Sequence, residues 1–138
     1  MKIKRCIYEQ LIGLPCVPPE MGGILGGKDG VIDKIILDEE ESYHEGIYVP
    51  NTSFLNKCIQ RWNCENIIFL GMFHTHALNW PELSTEDKRY ILQITYAMPG
   101  HVNKLYFPLI FPLNGMKAFY AQRIDKEVFI VEDEIQIV

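Results

Sequence analysis

A chain of 138 residues is long enough to withdraw roughly two-thirds of its unfolded surface from water as one domain, so it needs no metal or disulfide merely to fold. Its 48% hydrophobic and 22% charged residues exclude disorder. A net charge of -5 and a pI near 5.3 disfavour the clustered cationic surface that nucleic acid or an anionic membrane requires, leaving a protein or a small molecule as the expected partner.

In chain order, Ile3, Ile7, Leu11 and Leu14 recur at helical spacing and predict a short helix, preceded by a few extended residues. Pro15, Pro18 and Pro19 forbid its continuation. "EMGGILGG" predicts a glycine-rich strand that lets another backbone or a ligand come close. "KDG" predicts a turn, and "VIDKIIL" the partner strand of a hairpin. The acidic "DEEESYHEG" reads as a solvated edge or loop, and "IYVP" as a short strand.

Asn51, Thr52 and Ser53 offer caps for a helix running to about Trp62, with Phe54, Leu55, Cys58, Ile59 and Trp62 on one side. "IIFLGMF" is a continuous apolar run of strand length, the pattern of a strand buried on both faces. "STEDKRYILQITYAM" predicts a helix that stops before Pro99, and three strands follow in "KLYFPLIF", "MKAFYAQRI" and "EVFIVE", the first weakened by Pro108. Strands alternating with helices give an α/β (α+β) expectation: one domain over residues 1–138, a mixed sheet flanked by helices.

No apolar run approaches the ~20 residues needed to cross a bilayer, and "MKIKRCIYEQ" carries charges where a signal peptide is apolar. A cytoplasmic location is expected. Cys6, Cys16, Cys58 and Cys64 form no C-x-x-C pair, so reduced thiols are expected.

His74 and His76 are one residue apart, so on an extended backbone both leave the same face. Two imidazoles can share one ion there, and Asp87 offers a third ligand while a fourth position stays open. The same downstream segment has a plain explanation: Ser84 caps a helix whose first turn carries acidic residues. The whole string is nevertheless H-x-H-x7-S-x-x-D, too specific to read as a capped helix alone.

That string resembles the JAMM motif of the MPN-domain zinc metalloproteases. Upstream, "PPEMGGILGG" puts Glu20, Gly23, Leu25 and Gly27 in the register of that family's E-x-x-G-x-L-x-G stretch. The resemblance spans nearly the whole chain and is to the compact prokaryotic members. It departs from the family at Ala77 and Leu83, where prolines are common, and at Thr75, where serine is common.

The resemblance implies Zn2+ on His74, His76 and Asp87, with Glu20 as general base and Ser84 stabilising an oxyanion. It implies an isopeptidase or metallopeptidase acting on the C-terminal tail of a ubiquitin-like or sulfur-carrier protein. The competing expectation is a non-catalytic MPN-type interaction module. Trp80 is expected to pack against the domain, and His44 and His101 to be solvated.

Overall fold

The computed structural model describes residues 1–39 and 48–138. The described chain runs β1 (Lys2–Ile3), α1 (Arg5–Ile12), β2 (Gly22–Lys28), β3 (Val31–Leu37), α2 (Thr52–Cys64), β4 (Ile68–Thr75), α3 (Thr85–Ala97), β5 (Lys104–Tyr106), β6 (Leu109–Phe111), β7 (Gly115–Ile124), β8 (Glu127–Asp133) and β9 (Gln136–Ile137). The strands join in one mixed sheet of order β5-β7-β6-β4-β2-β3-β1-β9, with β8 on the free side of β7 and β5 also pairing with β4.

The β2–β3 hairpin closes on Asp29 and Gly30, both at positive φ, as the "KDG" signal predicts for a two-residue turn. β4 lies between β2, antiparallel, and β5 and β6, parallel. Its alternating side chains enter two cores. Met72 joins Ile24, Leu55, Trp62, Ile91 and Leu105 beneath α2 and α3. Phe73 joins Ile3, Ile7, Leu11, Leu25 and Ile110 beneath α1. An apolar run without polar alternation is what a strand covered on both faces requires.

Three expectations need correction. The first helix is Arg5–Ile12, shorter than the Ile3 to Leu14 spacing, because Ile3 lies in the extended residues expected ahead of it, β1, pairing in parallel with Ile32 and Ile137. "KLYFPLIF" is broken into β5 and β6, since Pro108 has no N–H for the ladder, although the Phe107 N–H still donates to the Phe119 carbonyl at 2.8 Å. Tyr48–Pro50 form no strand; the rest of that expected strand and loop, with His44, lies outside the described residues.

The glycine-rich β2 is internal, between β3 and β4. The close approach expected of a ligand is made there by the protein itself, with the Tyr48 ring against Gly22 and the Trp62 ring against Gly26. The four cysteines are unpaired, and Cys58 is buried. No helix among the described residues is long and apolar enough to cross a membrane.

Candidate metal centre

The site forms where β4 runs out. Cross-strand register pairs Gly22 with His74, and the next step is held by the Thr75 N–H donating to the Met21 carbonyl at 2.8 Å. The Met21 N–H returns a bond to Thr75 Oγ1 at 2.9 Å, a task serine's hydroxyl could perform equally. Glu20 lies two residues ahead of β2 and lines the same cavity as His76. On the other side, the His76 N–H donates to the Ile110 carbonyl of β6 at 2.8 Å.

α3 supplies the third group. Ser84 Oγ accepts from the Asp87 N–H at 3.0 Å, and Asp87 Oδ2 accepts from the Ser84 N–H at 2.9 Å, a reciprocal capping box. The cap therefore aims the carboxylate as well as starting the helix. Asp87 Oδ2 lies 3.2 Å from His74 Nε2 and 3.0 Å from His76 Nε2, and the two nitrogens are 3.1 Å apart. All three residues are buried.

Three electron-rich atoms at the corners of so small a triangle repel one another unless a proton or a metal cation sits among them. Tetrahedral bonds of 2.0 to 2.1 Å separate neighbouring ligand atoms by about 3.3 Å, close to the edges observed. The donor set, two imidazoles and one carboxylate, therefore fits a divalent transition metal.

Outer contacts fix the imidazoles. His76 Nδ1 donates to the Trp80 carbonyl at 3.0 Å, which leaves Nε2 with its lone pair. His74 Nδ1 meets the Tyr90 hydroxyl at 3.1 Å, and the tautomer that bares Nε2 donates to that oxygen. Burial opposes charge on His76, but the Asp87 carboxylate, the Trp80 carbonyl and the Glu20 charge raise its pKa above the ordinary value. Burial also pushes the Asp87 carboxyl upward; when the Nε2 atoms of His74 and His76 carry protons, the hydrogen bonds they donate prevail and hold it far below the usual carboxylate range. Burial, then Asp87 and Glu20, push the Tyr90 phenol well above its usual value, so it stays protonated.

Beside the triangle opens a cavity of about 210 Å³ lined by Glu20, Leu78, Trp80, Ser84 and Glu86 together with His76 and Asp87. Glu20 Oε2 accepts from the Tyr48 N–H at 3.4 Å. The five residues singled out in the sequence thus share one corner of the fold. His101 is exposed and apart from it. Trp80 is 60% exposed, which corrects the expectation that it packs against the domain: its backbone is tied to His76, while its indole is left at the cavity mouth. Sequence reasoning missed Tyr90, whose signal was its place three residues after Asp87, on the same helix face.

No protein-family model matches the chain, and no curated protein does. Solved structures do match. The solution structure of a Desulfitobacterium hafniense protein is 19% identical, with a TM-score of 0.65, over 99% of this chain and 92% of that one. A JAB1/MPN domain protein from Archaeoglobus fulgidus is 17% identical, with a TM-score of 0.56, over 100% and 99%. A structure reported as JAMM, a metalloprotease-like zinc site in the proteasome and signalosome, is 18% identical, with a TM-score of 0.54, over 100% and 97%. Identity this low with coverage this complete speaks for architecture: the chain has the fold of the JAB1/MPN and JAMM metalloprotease-like proteins, with a His74-His76-Asp87 group positioned to bind a metal.

Proposed function

We propose that the chain is a zinc-dependent hydrolase of amide bonds, acting as a metallopeptidase or isopeptidase. The observation that carries this reading is the triangle of His74 Nε2, His76 Nε2 and Asp87 Oδ2, opening on a cavity that also holds Glu20 and Ser84. His74, His76 and Asp87 would hold the zinc ion, which would supply Lewis acidity, lowering the pKa of water toward about 7 and polarising a carbonyl.

The protein's own groups do the rest. Glu20 takes the proton that water sheds as it attacks the carbonyl, and hands it to the departing amine. Ser84 Oγ receives the Asp87 N–H through a lone pair, so its own proton is unspent and donates to the carbonyl oxygen as negative charge builds there. Loss of one such donor typically costs ~10²- to 10³-fold in rate.

The substrate we propose is the C-terminal tail of a ubiquitin-like or sulfur-carrier protein, by likeness of fold to the JAMM structures. What favours catalysis over a non-catalytic module is that the Glu20 carboxylate lines the same cavity as the metal group; Ser84 serves either reading, since its oxygen also caps α3. The test is peptide release from such proteins bearing C-terminal extensions, read by mass spectrometry with and without chelator. Chelation is expected to stop release, and Glu20→Gln to keep the metal while abolishing turnover. Unchanged turnover by the purified variant would remove Glu20 as the base; no release from any substrate would favour the interaction module.

A further inference from the structure

We infer that Leu78 and Trp80 form an apolar subsite that takes a side chain flanking the cleaved bond, selecting apolar substrates over acidic ones. The inference rests on the hydrolase reading and adds a specificity to it. Both residues are large and apolar, both line the cavity of Glu20 and Ser84, and they are 77% and 60% exposed. Single exposed hydrophobes are ordinary on a protein surface. Two that line one cavity with Glu20, His76, Ser84 and Asp87 are a patch with an address.

The loop that carries them is tethered throughout. The Trp80 carbonyl accepts from His76 Nδ1 at 3.0 Å, and the Trp80 N–H donates to the Leu78 carbonyl at 2.7 Å. Pro81 follows, Glu82 pairs with Lys117 of β7 at 2.7 Å, and Leu83 is buried in the α2/α3 core. A loop whose backbone is fixed at these points loses less freedom when substrate arrives than a loose one, and aromatic side chains on such a scaffold dominate contact energy at binding sites.

Charge sets the other half of the preference. Glu20 and Glu86 both line the cavity, so an acidic side chain entering beside Trp80 meets carboxylates and loses its hydration, whereas an apolar one covers Leu78 and the indole. One well-fitted apolar group changes selectivity about ten- to two-hundredfold.

The chain provides its own probe. Its two tryptophans are Trp62, 4% exposed, and Trp80, so a ligand-induced blue shift of emission reports Trp80. Peptides identical except for leucine, glycine or aspartate on either side of a central Gly–Gly would be titrated into chelated protein, and their cleavage by zinc-loaded protein followed by mass spectrometry. The leucine peptides are expected to shift the emission and to bind and react at least about tenfold better than the others. Trp80→Ala, which keeps the carbonyl that holds His76, is expected to erase that advantage with zinc content unchanged. Equal cleavage of leucine and aspartate peptides, or an unaltered preference in the variant, would overturn the subsite, as would no emission shift with any peptide. A leucine-dependent shift without cleavage of any peptide would keep the subsite and defeat the hydrolase reading.

Discussion

The Tyr90 hydroxyl shows how little at this site is left to the ligands alone. Asp87, His74 and His76 offer the three inward atoms, but each is aimed by something else: the Ser84 backbone, the Tyr90 phenol and the Trp80 carbonyl. A phenol kept protonated by burial and by nearby negative charge is a constant hydrogen-bonding partner for His74 Nδ1. Tyr90→Phe keeps the ring and deletes that partner, so metal affinity is expected to fall about 10- to 100-fold. Competition with a chromogenic chelator would measure it; affinity equal to that of the unsubstituted protein would reduce the Tyr90 contact to packing. The histidines and the aspartate were legible in the sequence because their spacing is rigid. Tyr90 was not, because one tyrosine on an apolar helix face has no spacing of its own to betray it.

At the scale of elements, β4 decides where the site stands. Gly71 has φ +147, and a Cβ there would strike the Tyr106 backbone; the register between β2 and β4 also shifts at Leu25 and Gly26, opposite this point. The irregularity lets β4 bury Phe69 and Met72 on one face and Leu70 and Phe73 on the other, which sends His74 and His76 toward α3. Gly71→Ala is therefore expected to destabilise the fold by about 2 kcal/mol or more and to weaken metal binding with it. At Gly30, also at positive φ but with open space around it, alanine should cost only about 1 kcal/mol. Urea unfolding of both variants tests the contrast, and equal midpoints would mean that β4 and β5 slide apart freely. The apolar run of β4 was legible as a buried strand; its bulge was not, since one glycine in such a run is equally compatible with an unbroken strand.

For the whole molecule, stability and chemistry are separable. Two apolar cores lie on opposite faces of the sheet, and the metal group ties only the end of β4 to the start of α3. Removing metal with chelator, or replacing His76 with alanine, is expected to leave the far-UV circular dichroism unchanged while stoichiometric zinc is lost. Unfolding on chelation would make the metal structural, and full zinc occupancy in His76→Ala would strike His76 from the ligands.

The sequence by itself determined the alternation of helices and strands, the caps of α2 and α3, the buried strand and the His74, His76 and Asp87 group, because periodicity, capping chemistry and short-range spacing are local properties; Glu20 entered only through the resemblance to the JAMM proteins. Only the tertiary structure decided that Glu20 shares a cavity with His76, that the glycines of β2 serve Tyr48 and Trp62, and that Trp80 stands in the open. These depend on strand order and register, which arise from burial summed over the whole chain and leave no mark at any single position.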